Sequence, residues 1–381
     1  MSSPFRALEA LEIALDSRVP VILWGMDGEG KSAAARAIAE ARGWVFAVIN
    51  GANLDPTDVG GIPFISAEGV GSRVPMALAI REAVRCSREG EHMLFFIDEL
   101  TSSPQSVLAS LLTTLSEWVA GDEQLSREYI HFVAAANPPH VAVSGVDLQP
   151  PTCTRMIHLQ WELPYEYWAE GVQTKGWVPA GQATQIELIC AFIEHNCAMG
   201  SHSEHRFRTP PSREGKNASR PTPRTWTNLS RVLHSAEYRK SGLDRFSNGA
   251  LRLVVEGTIG AGMGKEFMEF RKLRDLLPNM AEALNHPEDI KIPIRGDISY
   301  LFFRSLGAYV ANTLSVKDWK AAWVIIGRTE DTSNFDMAAL GARRLAKLMG
   351  TPEGKIFRKH IPREAHMFAE MFRDLGKLGT A

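Results

Sequence analysis

Over the first 160 or so residues, short apolar blocks alternate with helix-forming stretches. Phe5, Leu8, Leu11, Ile13 and Leu15 predict a helix of imperfect period. Val19 to Trp24 is a compact apolar run closed by glycine, the pattern of a buried parallel strand. SAAARAIAEARG predicts a helix from Ser32 that stops at Gly43. WVFAVIN predicts a second strand, and a glycine-rich stretch follows from Gly51 to Val74. MALAIREAVRCSREG predicts a helix, HMLFFID a third strand and PQSVLASLLTTLSEW another helix. YIHFVAAAN and RMIHLQW supply a fourth and a fifth strand. Strands alternating with helices in this way predict a three-layer α/β fold around a mostly parallel sheet.

After Trp161 the strand pattern vanishes. Ser201 to Thr225 is polar, basic and Pro-rich and reads as a long loop or a partly ordered segment. Helical patterns resume in TWTNLSRVLHSAEYR, GALRLVVEGTIGAG and FMEFRKLRDLL. They continue in ISYLFFRSLGAYVANTL, DWKAAWVIIGR and FDMAALGARRLAKLMG. The expected division is an α/β core over 1–162, a helical lid over 163–275 and a helical extension over 276–381.

Composition narrows the class. With 381 residues, 45% hydrophobic and 23% charged, the chain has ordinary globular usage and can bury a core. A net charge of -2 argues against a protein that coats nucleic acid, although the Arg-rich stretch 206–224 keeps a local basic channel open. Cys86, Cys153, Cys190 and Cys197 form no zinc-like spacing and read as buried free thiols. The N-terminus is amphipathic and carries acids, unlike a signal peptide. The sequence has no apolar run of about 18 residues, so no membrane span and a cytoplasmic protein are expected.

GMDGEGKS, Gly25 to Ser32, fits G-x-x-x-x-G-K-[ST] in full. It lies after an apolar strand and at the head of a helix, where that motif works. Glycines let main-chain N–H groups wrap phosphates, and a helix N-terminus adds a favourable dipole. Gly25, Asp27, Gly28, Glu29, Gly30, Lys31, Ser32 and Ala33 are the expected cradle. Lys31 is expected to reach the β- and γ-phosphates and Ser32 to be a Mg2+ ligand. LFFIDEL closes a buried strand with two acids, which is costly unless they meet a cation or water. Asp98 is expected to hold Mg2+ through its shell and Glu99 to polarise the attacking water. An acidic cap on the following helix is the competing reading. AAANPP puts Asn137 at the end of the fourth strand, where an amide orients a lytic water; an Asn-Pro turn is the plainer use. His195, His202 and His205 lack a fourth metal ligand and read as a solvated loop.

Together, GMDGEGKS, FFIDEL, AAANPP and the later PTPRTW resemble an AAA+ ATPase over roughly residues 5 to 275. NLDPTDVGGIPF, the Leu- and Ser-rich helix after DEL, and VDLQPPTCTRMIHLQW are similar to its MoxR-like branch. The resemblance implies ATP and Mg2+ as ligands and hydrolysis of ATP. It also implies a homo-oligomeric, hexameric ring that remodels or activates a client protein, often beside a von Willebrand factor A domain partner. Arg155 falls where the family puts its arginine finger, which acts in the neighbouring subunit; this chain has Thr154-Arg155-Met156 where the family more often writes Asp-Arg-Phe. Arg224, in PTPRTW, falls at the sensor 2 position. Arg208, Arg213, Arg220 and Arg231 are nearby, so a plain basic face is its competing reading. GGIPFISAEGVGSRV resembles the helix-2 insert, a hairpin that would carry Phe64 or Ile65 into a central pore; a plain surface loop is the competing reading for those two residues. EWVAGDEQLSREYIHFV is a candidate second hairpin turning near Gly121-Asp122. Residues 276–381 match no named pattern. Two other classes stay open: a motor that translocates DNA or RNA, and a nucleotide-gated scaffold with little turnover.

Overall fold

The computed structural model describes residues 5–65, 71–138, 148, 153–195, 197, 202–211, 218–238, 247–330, 332–351 and 353–367. The chain divides into two compact units, Ser3–Pro164 and Tyr165–Ala381.

The first unit is built on five parallel strands: β1 (Val21–Trp24), β2 (Val45–Asn50), β5 (Met93–Asp98), β8 (Ile130–Ala136) and β9 (Ile157–Gln160). Their order across the sheet is β2-β5-β8-β1-β9. All five expected strands are present. Met93 to Ile97 and the whole of β8 are buried, as befits central parallel strands covered on both faces. Flanking helices are α1 (Arg6–Ser17), α2 (Lys31–Arg42), α3 (Pro56–Gly60), α4 (Leu78–Glu89) and α5 (Gln105–Glu117). The core joins Ile22, Ile49, Phe95, Ile97, Leu111 and Phe132 with Ile80 and Ala83 of α4. Parallel strands all end at one edge, so Trp24, Asn50, Asp98 and Ala136 bring the residues that follow them to the same side.

Both hairpins suggested by the sequence are formed. β3 (Ile62–Ile65) pairs antiparallel with β4 (Gly71–Val74), with Ile62 opposite Val74 and Ile65 opposite Gly71. Residues 66–70 lie outside the described set. β6 (Val119–Ala120) and β7 (Glu123–Gln124) form the second, turning through Gly121 at a φ of 62°. The Asp122 carboxylate accepts the Arg73 N–H at 2.6 Å, which ties the two hairpins together.

The second unit is helical among its described residues: α6 (Tyr165–Thr174), α7 (Ala183–Glu194), α8 (Glu204–Phe207), α9 (Pro223–Tyr238), α10 (Asn248–Ile259), α11 (Ala261–Arg271), α12 (Met280–Asn285), α13 (Gly296–Thr313), α14 (Val316–Gly327), α15 (Phe335–Leu348) and α16 (Glu364–Met367). The stretch read as a long loop is shorter than expected. Trp226 is fully buried, and its indole donates to the carbonyls of Arg206 and Phe207 at 3.0 Å, fastening α8 to α9. Close approach of α13 to α15 depends on Gly307, where a Cβ would lie 2.7 Å from Arg344 Cγ.

Candidate nucleotide site

Gly25 receives the chain from β1 and donates its N–H to the Ala136 carbonyl at 3.2 Å, rooting the loop at the end of β8. No side chain fits there, because a Cβ would lie 2.3 Å from the Trp161 carbonyl oxygen. Gly28 and Gly30 adopt φ of 78° and 75°, the left-handed region that glycine enters without a Cβ penalty. Gly30 is the N-cap of α2; no side chain caps that helix and no acid occupies its first turn. Its first main-chain donors are therefore left to an anion. Lys31 is 9% exposed and its ammonium donates to the carbonyls of Gly25 at 2.6 Å and Met26 at 2.9 Å. Half-buried Ser32 follows it in the first turn of α2, and Asp27 and Ala33 are exposed.

Glu29 is turned elsewhere. It is 2% exposed, and its carboxylate accepts the Leu163 N–H at 3.0 Å. Its main-chain carbonyl accepts the Trp161 indole N–H at 2.9 Å. What Glu29 can offer a phosphate is its backbone N–H, not its side chain.

Opposite the loop's helix, Asp98 ends β5 half-buried, and its Oδ1 accepts the Glu99 N–H at 3.0 Å. Glu99 is exposed and held at φ 53°, ψ 40°. For a residue with a Cβ that conformation costs on the order of 1–3 kcal/mol, and such strain gathers at functional positions. Asn50 lies opposite Asp98 in the β2–β5 register. Its amide donates to Glu99 Oε2 at 3.4 Å while its Oδ1 accepts the Ala52 N–H at 2.9 Å. Asn50 was not among the residues expected from sequence; the available signal was a polar residue closing an apolar strand. Asn137, half-buried, leaves β8 between β5 and β1. The loop, the acid pair, Asn50 and Asn137 thus share the carboxyl edge of the sheet, where open α/β sheets bind ligands.

Of the two candidate arginines, Arg155 contacts the end of α5 and Arg224 belongs to the helical unit. Arg155 has a side chain 54% exposed; it donates to Ser116 Oγ at 2.9 Å and approaches Glu117 at 3.5 Å, both at the end of α5. Arg224 is exposed in the first turn of α9, in the other unit. His202 is not simply solvated: it stacks on Tyr165 with centroids 4.6 Å apart and meets Glu166 at 3.2 Å and Glu204 at 2.9 Å. His195 rests on the Phe270 ring, and burial, then the nearby Arg206 charge, push its pKa down. No helix among the described residues is long and apolar enough to cross a membrane.

Residues 20–156 match the family model of the AAA domain, dynein-related subfamily. The five-stranded parallel sheet with its flanking helices fits the P-loop core of an AAA+ ATPase. No curated protein matches the sequence. Among solved structures, the chain is similar to a crystal structure from Cytophaga hutchinsonii provisionally named an ATPase. That likeness has 16% identity over 67% of this chain and 80% of that one, with a TM-score of 0.32.

Proposed function

We propose that the AAA domain binds ATP with Mg2+ and hydrolyses it to ADP and phosphate. In this reading turnover within a homo-oligomeric ring remodels or activates a client protein, in the manner of the MoxR-like branch. The observation that carries it is the sharing of one sheet edge by the uncapped N-terminus of α2, with Lys31, and the Asp98–Glu99 pair held by Asn50.

Lys31 and the first N–H groups of α2 would hold the β- and γ-phosphates. Ser32 and Asp98 would hold Mg2+, which supplies positive charge against the phosphate oxygens. Glu99 accepts a proton from water as the water oxygen bonds to the γ-phosphorus. The bond to the β–γ bridging oxygen breaks, and ADP leaves with that electron pair. Asn50 fixes Glu99, and Asn137 steers the water. Positioning and fixed charge carry most of such a transfer.

Exposure of Arg155, whose partners among the described residues are the Ser116 hydroxyl and the Glu117 carboxylate, supports its use as a finger by a neighbouring copy. Arg224 is assigned the sensor 2 role from its place in PTPRTW. Ile62, Phe64 and Ile65 are exposed along β3, with Phe64 at 58% and Ile65 at 72%, which supports a hairpin that grips apolar client segments. A hexameric ring and a von Willebrand factor A domain partner follow from the MoxR-like reading.

ATPase rate measured against protein concentration, with particle size followed by light scattering, tests this. The specific rate should climb with assembly. Glu99→Gln and Arg155→Ala should both lose turnover while still binding ATP, the second by about 10³-fold or more. A rate flat with concentration and indifferent to Arg155 would remove the shared-site ring and favour a nucleotide-gated binding module.

A further inference from the structure

An acid inside a phosphate loop is electrostatically misplaced. It stands among donors arranged for an anion and repels the charge they attract. Burying it adds a desolvation cost that only hydrogen bonds can offset. Glu29 is such a residue, 2% exposed, and its carboxylate is satisfied by the Leu163 N–H at 3.0 Å.

This bond belongs to a continuous seam. Trp161 donates its main-chain N–H to the Trp24 carbonyl at 2.7 Å and its indole N–H to the Glu29 carbonyl at 2.9 Å. The Trp161 carbonyl leaves no room for a Cβ on Gly25. Leu163 itself is 6% exposed, so the loop and residues 161–163 are packed as one piece.

Only one residue separates that anchor from the next. Pro164 ends the first unit, and Tyr165 begins both the second unit and α6. Tyr165 is 4% exposed, and its hydroxyl donates to Glu194 at 2.5 Å. Glu194 is held in turn by the Tyr300 hydroxyl at 2.5 Å and by Arg304. Proline fixes its own φ and keeps Leu163 in extended conformations.

We propose that Glu29 is a positioning residue that ties the phosphate loop to the Leu163–Pro164–Tyr165 link and thereby passes nucleotide state to the helical unit. The inference rests on the nucleotide reading above. When phosphate resets the loop, Glu29 carries the Leu163 amide with it, and the proline delivers that shift to the first turn of α6.

Hydrogen exchange of the full chain, with and without the slowly hydrolysed analogue ATPγS, tests the coupling. Four proteins are compared: the natural chain, Glu29→Ala, Glu29→Gln, and a chain with two glycines inserted between Pro164 and Tyr165. In the natural chain ATPγS should alter exchange at Leu163 and along α6. At saturating ATPγS, Glu29→Ala should speed Leu163 exchange about tenfold or more and abolish the α6 response, and its kcat for ATP should fall about tenfold. Glu29→Gln keeps a carbonyl acceptor and should recover part of each. The insertion leaves Glu29 and its bond intact, so it should keep affinity and Leu163 protection yet lose the α6 response. Unchanged Leu163 exchange in Glu29→Ala, or an undiminished α6 response in the insertion chain, would overturn the coupling alone. Failure of the natural chain to bind ATPγS would overturn the nucleotide reading together with it.

Discussion

The Asn50 side-chain amide donates to the Glu99 carboxylate at 3.4 Å, joining the last residue of β2 to the residue just past β5. Asn50 is itself fixed through the Ala52 N–H, so it holds Glu99 from a rigid base. Because Glu99 is exposed and sits in a strained backbone conformation, this bond sets where its carboxylate rests. Asn50→Ala should lower kcat about tenfold with ATP affinity unchanged, the pattern of a group that acts only in the transition state. Asn50→Asp should be worse than alanine, because it replaces the amide donor by a second carboxylate that repels Glu99. The kcat of Asn50→Asp should accordingly fall below that of Asn50→Ala. A kcat in both variants equal to that of the natural chain would show that Asn50 does not govern Glu99.

Gly25 and Gly43 separate two ways in which a glycine is required. At Gly25 the obstacle is space, since a Cβ would stand 2.3 Å from backbone oxygen. At Gly43 nothing lies within 4 Å, but φ is +67° at the end of α2. Gly43→Ala should cost about 1 kcal/mol of stability and leave nucleotide binding intact. Gly25→Ala forces either the loop or residues 161–163 to move. It should weaken ATP binding by more than tenfold, read by titration with a fluorescent nucleotide. Equal affinities in the two variants would contradict the tight seating of the loop on Trp161.

Charge is concentrated inside the helical unit. Arg304 meets Glu194 and approaches Glu187 at 3.4 Å, and Arg344 meets Glu187 at 2.9 Å and the Gln173 carbonyl at 3.1 Å. Glu187 is 2% exposed, and both arginines are nearly as deep. Burial works against the Arg304 charge, but Glu194, Tyr300 and Glu187 outweigh it and raise its pKa well above the usual value. Arg304→Met leaves buried Glu187 and half-buried Glu194 facing one arginine and should cost about 3 kcal/mol in urea unfolding. Arg304→Met combined with Glu194→Leu removes one charge of each sign and should be milder than Arg304→Met alone. A double variant no more stable than the single one would mean that packing, not charge pairing, dominates at this site.

The sheet was readable because each central strand is a continuous apolar run closed by a candidate site residue: Gly25 after VILW, Asp98-Glu99 after MLFFI, Asn137 after IHFVAAA. Local pattern and motif coincide there. Asn50 and the use of Glu29 escaped because their partners are 49 and 134 residues away, and no local spacing encodes such pairs. Helix α7 escaped for another reason. Gln185 through Ile193 are all buried, so the helix lacks the polar face that marks an amphipathic period. Arg155 could be placed before β9 from sequence, but its rest position on Ser116 of α5 depends on the fold.

At the amino edge of the sheet, away from the phosphate loop, His131 is 5% exposed and stacks on Trp44 with centroids 4.1 Å apart. Its Nδ1 lies 3.2 Å from the Leu15 carbonyl, which can only accept, so Nδ1 carries the proton. Its Nε2 then faces His92 Nδ1 at 3.2 Å. Burial pushes the His131 pKa down to about 4; the Leu15 carbonyl opposes that shift, while the charges of His92, Arg18 and Arg42 add to it. An unfolded histidine titrates near about 6.5. Above that pH both states are neutral and the stability is fully present. As pH falls from 6.5 toward 4, the unfolded chain takes a proton that the folded chain refuses, and stability drains away through that window. His131→Gln keeps a donor for Leu15 and removes the titration. Between pH 7 and pH 4 the natural chain should lose about 2 kcal/mol more than His131→Gln, after allowing for partial solvation of the ring. Urea midpoints at pH 7, 5.5 and 4 supply the comparison, and carboxylates that titrate in both proteins cancel in the difference. Parallel curves would mean that the folded protein protonates His131 as readily as the unfolded chain does.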